Sequence, residues 1–203
     1  MKKTLALTAI TILIMSSQAY SDVIINEISR DGVVWVELHN TGSGEVDLSG
    51  WKIRNSNGED PILGRIKPGG YLVICESSQE LRSHYKDIPS PIFEIRDGEL
   101  GSGLKANSDM VALVAPDGSI VDQVNWGIPS SGWHFYNSAL WNPGILDHSP
   151  ILARIPNSFD RDMPEDFKGL ASGTPGSMNQ VYNGLGTVSW GKIKAIFAGQ
   201  KRR

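Results

Sequence analysis

The sequence has almost no cysteine, and this scarcity limits how the fold is stabilised. Cys75 is the single cysteine among 203 residues, so the chain forms no intramolecular disulfide. It lies in the apolar run YLVIC, which predicts a small buried side chain, because a reactive thiolate needs polar or electropositive neighbours. The fold must therefore be held together by packing.

Histidine is also scarce, and its spacing argues against a transition-metal or catalytic centre. The four histidines stand singly, at His39, His84, His134 and His148. No H-x-x-x-H or H-E-x-x-H spacing occurs, although such a centre needs three or four converging ligands. The sequence also lacks G-x-S-x-G and a glycine-rich phosphate loop leading into a helix. These absences predict a protein that is not an enzyme and that carries no cofactor.

Long hydrophobic runs are missing except near the N terminus. MKK precedes the run LALTAITILIM (5–15), and small residues follow at Ala19 and Ser21. This order is typical of a secretory signal peptide, with cleavage before Asp22. The run is short for a membrane span, although an uncleaved anchor is the alternative. We therefore expect an exported protein that is extracellular, periplasmic or associated with the cell surface.

Acidic residues are absent from the last part of the chain. All 22 of them lie between Asp22 and Asp166 with 11 basic residues, which gives that segment a net charge of −11. From Phe167 onwards there are six basic residues and no acidic ones, a net charge of +6. An acidic body argues against nucleic-acid binding. We divide the chain into a signal peptide (1–21), one domain (22–180) and a linker with a basic tail (181–203).

Short strand-like runs separated by turn residues fill the domain, and they predict an all-β sandwich. The runs are VIINEI (23–28), VVWVELHN (33–40), GWKIRN (50–55), GGYLVICE (69–76), SDMVALVAP (108–116), SIVDQVNW (119–126) and ILARI (151–155). In SIVDQVNW the hydrophobic residues do not all lie on one face of the predicted strand. APDG (115–118) predicts a hairpin loop. The segment SSQELRSHYKD (77–87) predicts one short helix with Ser78 as its N-cap.

Alternation in VVWVELHN predicts which side chains face the core. Val34, Val36 and Leu38 share one face and should be buried, whereas Val33, Trp35, Glu37 and His39 share the other. We expect Glu37 and His39 to meet water. With Glu27 on the neighbouring strand, Glu37 forms an acidic face that is a candidate binding surface.

Seven pieces of the sequence, in this order, resemble a lamin tail domain of the bacterial exported type. They are INEI (25–28), WVELHN (35–40), VDLSGW (46–51), IKPGGYLVI (66–74), GLKANSDMVALVAPDGSIVDQVNWG (103–127), LARIPN (152–157) and TPGSMN (174–179). The resemblance implies an immunoglobulin-like β-sandwich and supplies no catalytic residues. It also implies that Trp51 enters the core, that Gly69 and Gly70 form a turn, and that residues 174–176 close the domain.

The long segment 128–150 departs from this pattern and has no clear period. It carries four aromatic residues, Trp133, Phe135, Tyr136 and Trp141. They either cap one end of the sandwich or form a binding rim, since exposed rings mark partner surfaces.

An acidic loop is the candidate metal site. FDRDMPEDF (159–167) contains Asp160, Asp162, Glu165 and Asp166, and hard oxygen ligands suit Ca²⁺. The spacing is not that of an EF-hand, so a solvated acidic loop is the alternative.

The tail forms a short amphipathic pattern with a basic end. Trp190, Ile193, Ile196 and Phe197 recur at three- and four-residue spacing among lysines. Such a segment binds an anionic membrane surface weakly, docks into a partner, or folds back on the acidic body.

These features together predict a non-catalytic exported module whose partner is a protein or an envelope component. Three alternatives remain: a calcium-dependent hydrolase, an accessory subunit of a secreted enzyme, and cargo that carries a C-terminal sorting or anchoring tail.

Overall fold

The computed structural model describes residues 22–127 and 147–180. In these ranges the chain forms strands, one α-helix and a 3₁₀ turn at Pro164–Asp166. In chain order they are β1 (Val23–Ser29), β2 (Trp35–Asn40), β3 (Val46–Asp47), β4 (Lys52–Arg54), β5 (Glu59–Pro61), β6 (Arg65–Ile66), β7 (Tyr71–Cys75), α1 (Ser78–His84), β8 (Ile92–Glu94), β9 (Asp109–Val114), β10 (Ile120–Trp126), β11 (Ile151–Arg154) and β12 (Phe167–Leu170).

Two larger sheets face each other, which confirms the predicted all-β sandwich. Within the described residues, one sheet has the order β12-β11-β1-β2-β7-β8 and the other the order β10-β9-β4-β5, while β3 pairs with β6. Val36, Leu38, Trp51 and Leu113 are among the buried residues of the core between them. Trp51 is only 2% exposed, as the resemblance implied.

Turn residues behave largely as the sequence predicts. Ala115 N–H donates to the Ser119 carbonyl at 2.9 Å, and Gly118 has a φ of 86°, so 115–118 closes the β9–β10 hairpin. Cys75 is buried in β7, as predicted. Burial raises the pKa of its thiol to about 11, which keeps it in the unreactive protonated form at neutral pH.

A β-bulge explains why β10 did not alternate cleanly. Its pairing with β9 shifts register between Ile120 and Asp122. An extra residue in one strand moves the following side chains to the other face. Val124 and Trp126 consequently enter the core, while Asp122 is buried beside them.

The expectation that one face of β2 meets water is wrong. Glu37 is 0% exposed and His39 only 8%. On this outer face Trp35 belongs to a second apolar cluster with Leu81 of α1, and its ring meets Tyr85 edge-on at 5.9 Å. The helix and the end of the domain cover the sheet here, so both faces of β2 are buried.

The helix is shorter than predicted, and its cap is one residue earlier. Ser77, not Ser78, is the N-cap, because its side chain accepts the Glu80 N–H at 3.2 Å. The helix ends at His84, since Tyr85 is extended and packs against Trp35 instead. Within the described ranges no helix is long and apolar enough to cross a membrane.

Candidate functional site

Two carboxylates lie side by side on the outer face of the six-stranded sheet. Glu27 of β1 and Glu37 of β2 are cross-strand partners, and both are 0% exposed. A β-bulge in β1, between Ile25 and Glu27, sets this register. The candidate acidic binding face is therefore covered. The hydrogen bonds that the covering segment makes determine the role of the two carboxylates.

That cover is residues 173–179, which we call the C-terminal strap. The Glu27 carboxylate accepts hydrogen bonds from Thr174 N–H at 3.0 Å and from Thr174 Oγ1 at 3.3 Å. Glu37 Oε2 accepts Gly176 N–H at 2.6 Å. Gly176 has a φ of 82°, a conformation that costs an L-residue roughly 1–2 kcal/mol. The two carboxylates thus satisfy backbone donors of the strap, as buried polar groups must.

Three asparagines complete the attachment. Asn26 Nδ2 donates to Glu37 Oε1 at 2.8 Å and to Asn157 Oδ1 at 3.0 Å. Asn157 Oδ1 also accepts Asn179 N–H at 2.8 Å. Asn179 Nδ2 donates to the carbonyls of Asn26 and Arg154. The motifs INEI, WVELHN, RIPN and TPGSMN therefore meet in one hydrogen-bond network, although up to 153 residues separate its members.

Burial alters the acidity of both carboxyls. It raises the pKa of Glu27 to about 7, although the hydrogen bonds from Thr174 act in the opposite direction. It also raises the pKa of Glu37 well above its usual range; the bond from Asn26 opposes this, and the Glu27 charge adds to it. Burial thus favours the protonated form of both carboxyls in the folded domain, whereas the hydrogen bonds from the strap favour the charged form and only partly offset it.

The Ser158 hydroxyl and the His39 imidazole lie in contact beside this network. No sequence motif predicted this pair. Ser158 Oγ lies 2.5 Å from His39 Nδ1, and Asn157 Nδ2 also donates to Ser158 Oγ. Tyr71 stacks on the His39 ring at 4.3 Å. Burial lowers the pKa of His39, against a backbone hydrogen bond at Gly69 that raises it.

This geometry favours a structural link over a nucleophile and base. Among the described residues, no carboxylate hydrogen-bonds to His39 to orient and charge it as in a catalytic triad. Ser158 N–H also donates to Asn26 Oδ1 at 3.1 Å. Ser158 therefore fastens the loop after β11 to β1 and β2.

With this geometry established, comparison with known proteins identifies the fold family. A family model described as the Lamin Tail Domain matches residues 16–127, which is 112 of the 203 residues. The chain belongs to the lamin tail domain family. No curated protein matches the chain.

The six-stranded sheet continues past the residues that the family model matches. β11 pairs with β1 and β12 pairs with β11, so both strands extend the sheet that the matched segment begins. The strap then crosses the outer face of that sheet through Thr174 and Gly176. This agrees with the closing role that the resemblance implied for residues 174–176.

The acidic loop of this lamin tail domain does not assemble the predicted set of four calcium ligands. Asp160 and Asp162 lie near Asp122, with carboxylate oxygens within 4.8 Å of one another. Glu165 is exposed at the surface. Asp166 turns back into its own loop, where it accepts Arg161 N–H at 2.7 Å. The set brought together includes Asp122, which is 38 residues before Asp160 in the sequence and so was missed.

An arginine already pairs with two of these three carboxylates. Arg154 is 0% exposed, and its guanidinium lies 2.9 Å from Asp122 and 2.8 Å from Asp160. Its Nε donates to the Ile25 carbonyl at 2.8 Å. This fixed positive charge lies where a cation would bind and offsets part of the negative charge of the cluster, so the donor set does not fit Ca²⁺ well.

Two further sets of candidate residues lie outside the described ranges. They are the aromatic set Trp133, Phe135, Tyr136 and Trp141, and the tail set Trp190, Ile193, Ile196 and Phe197. Their roles in this lamin tail domain protein remain predictions from sequence.

Proposed function

We propose that this lamin tail domain protein is exported and works as a structural or binding module at the cell envelope or outside the cell. The observation that carries the proposal is that its acid–base side chains are buried and bind other parts of the domain. Glu27, Glu37 and His39 are buried and hold the strap and the loop after β11. Residues in such positions stabilise a scaffold and do not meet a substrate.

Export is supported by the order of basic, apolar and small residues before Asp22. The structure supports the predicted cleavage position in one respect. The carbonyl of Asp22 accepts Thr41 N–H at 2.7 Å, and β1 starts at Val23. A chain beginning at Asp22 would keep every strand described here.

The test of export is fractionation of cells that express the full chain, with N-terminal sequencing of the product. We expect a mature protein outside the cytoplasm that begins at Asp22. A matched chain without residues 2–21 should stay in the cytoplasm with the same melting temperature. Retention of the intact N terminus inside the cell would overturn this part of the proposal.

The proposed binding surface is the aromatic segment 128–150 with Trp133, Phe135, Tyr136 and Trp141, because the acidic face with Glu27 and Glu37 is covered. Exposed rings are typical of partner surfaces, and the proposed partner is a protein or an envelope component. Replacing Trp133 and Trp141 with alanine should abolish capture of a partner from an envelope extract and leave the melting temperature nearly unchanged. A large fall in melting temperature would show instead that the rings are core residues.

The basic tail supports a second proposal, retention of the protein by its C terminus. Deleting residues 181–203 should release the protein from the cell fraction if the tail is an anchor or sorting segment. Unchanged retention would remove that role, and the domain alone would then account for location.

A further inference from the structure

One side of the sandwich holds a groove between the edges of the two larger sheets. β5 is the last strand of the four-stranded sheet and β8 the last of the six-stranded sheet. The cavity between them has a volume of about 630 Å³. We call it the edge groove. Its apolar lining is Pro61, Leu63 and Phe93, and its charged lining is Asp60, Glu94, Arg96 and Asp97.

The apolar lining is exposed to an unusual degree for this domain. Leu63 is 56% exposed, one of four large hydrophobic side chains open to solvent among the described residues. Phe93 is half-buried and packs against the main core. A strand edge also leaves backbone donors and acceptors free to pair with another segment. The groove therefore offers both apolar and hydrogen-bonding contacts to a peptide segment.

The rim of the groove carries three carboxylates, from Asp60, Glu94 and Asp97, and one cation, Arg96. Burial raises the pKa of Asp60, and the nearby Asp97 charge adds to this. Within residues 22–127 and 147–180, no basic side chain forms an ion pair with Asp60, Glu94 or Asp97. With Arg96 counted, the charged lining has a formal net charge of 1 − 3 = −2, which favours a basic ligand.

The chain itself contains a segment of matching chemistry. Residues 181–203 have five basic residues and no acidic ones, and they include the aromatic residues Trp190 and Phe197. We propose that the edge groove binds the basic, aromatic C-terminal segment (189–203) of the same chain. One ring fills the apolar lining around Leu63, and the lysines meet the acidic rim.

The connection is long enough for binding within one molecule. Asn179 is fixed to β1 by its bond to the Asn26 carbonyl, and β8 is three strands away from β1. At about 4.8 Å per strand the separation is roughly 14 Å. A chain from residue 180 to residue 190 spans up to about 33 Å when extended. Trp190 can therefore reach the groove around the sheet edge without moving the strap.

Photocrosslinking in the full chain tests this directly. Position 190 is replaced by p-benzoylphenylalanine, the protein is irradiated, and the crosslinked peptides are identified by mass spectrometry. We expect crosslinks to Pro61, Leu63 and Phe93. Their yield should fall several-fold between 50 mM and 500 mM salt, because charge attraction is screened over a few ångströms at high ionic strength.

Groove variants and a matched control make the result specific. Leu63→Ser and Asp97→Lys alter exposed groups of the groove and should each lower the crosslink yield at least threefold. Asp31→Lys makes the same charge change at an exposed position outside the groove, and it should leave the yield unchanged. A mixture of ¹⁵N-labelled and unlabelled chains distinguishes binding within a chain from binding between chains.

Three results would overturn the proposal. They are crosslinks that map elsewhere on the domain, crosslinks that join labelled to unlabelled chains, and a yield that Leu63→Ser and Asp97→Lys leave unchanged. An external partner for the groove would appear as the first of these, with the tail found away from Leu63.

Discussion

Arg154 and Asp122 form an ion pair that joins the two large sheets. Arg154 Nη2 lies 2.9 Å from Asp122 Oδ2, and the side chains are 0% and 2% exposed. Asp122 also accepts Ile25 N–H at 2.7 Å, while the Arg154 guanidinium lies 4.6 Å from the centroid of the Phe167 ring. The pair thus connects β10 with β11 and β1 at the point where β10 bulges.

Removing the arginine should strongly destabilise the domain. In Arg154→Met the apolar stem is kept, but Asp122 is left buried without its cation, which typically costs 3–5 kcal/mol. Urea unfolding followed by tryptophan fluorescence measures the loss. Arg65→Met is the control, because Arg65 is paired with Glu45 and Asp47 at the surface, and exposed pairs contribute about 0–1 kcal/mol. Equal losses in the two variants would contradict the role assigned to Arg154.

Calcium should have no effect on stability, because Arg154 already pairs with Asp122 and Asp160, two of the three carboxylates that a cation would need. Thermal unfolding in millimolar calcium and in excess chelator should give the same melting temperature. A ligand that bound the folded state at 100 times its Kd would add about 2.7 kcal/mol, which is easily detected. A rise of several degrees that Asp162→Asn abolishes would restore the calcium site.

The buried Glu27 should make the domain less stable as pH rises through neutrality. Its folded pKa is about 7 against an ordinary value of 4.5, so the folded state retains a proton that the unfolded state loses. The contribution of protonated Glu27 to the free energy of unfolding is fully present below pH 4.5 and is lost as pH rises through 7. The loss amounts to roughly 3 kcal/mol at most. Glu37 acts in the same direction.

The substitution Glu27→Gln removes this contribution, together with the Glu27 charge that helps to raise the pKa of Glu37. The amide oxygen still accepts Thr174 N–H but carries no titrating proton, so unfolding free energies between pH 5 and pH 8 should show a shallower slope. The difference from the unsubstituted chain should grow with pH. Carboxylates with a lowered pKa, such as Asp147, change the stability only at acidic pH. The lowered pKa of His39 makes stability rise with pH in the lower part of this window, but it does so in both proteins and cancels in the comparison. Parallel slopes for the two proteins would contradict the assignment.

Substitution by alanine should destabilise the domain more at the strap glycine Gly176 than at a loop glycine of the same conformation. A Cβ at Gly176 would lie 2.6 Å from Ser90 Oγ and 3.0 Å from an Ile88 methyl. Gly118 has a similar φ of 86°, and a Cβ there meets nothing within 4 Å. Gly118→Ala should cost roughly 1–2 kcal/mol for its backbone alone. Gly176→Ala should cost more and should speed hydrogen exchange at Thr174 and Gly176. Equal costs would mean that the strap adapts to the methyl group.

Local patterns were enough to predict much of the sandwich. Alternation placed Val36 and Leu38 in the core, and APDG predicted the β9–β10 hairpin, because period and turn chemistry are local properties. The edge strand β8 was not predicted, because its three residues, IFE, are half-buried or exposed and are too few to show a hydrophobic period. The bulge that buries Asp122 was visible only as an imperfect pattern in SIVDQVNW.

The candidate site was predicted less well, and Glu37 illustrates why. Its alternation with Val36 and Leu38 correctly places it on the outer face of the sheet. Whether an outer face meets water depends on what else packs there, and the cover comes from α1 and from a strap 139 residues away. The same holds for Asp160, whose nearest partner Arg154 is six residues earlier, while Asp122 comes from the other sheet.

The sequence by itself determined the family, the strands that alternate clearly and the division of charge between an acidic body and a basic tail. Tertiary structure decided the meaning of the polar residues. A carboxylate has the same sequence signature whether it binds solvent, a cation, an arginine or a backbone amide. Glu27 and Glu37 bind the backbone amides of Thr174 and Gly176, which only the folded chain brings within hydrogen-bonding distance.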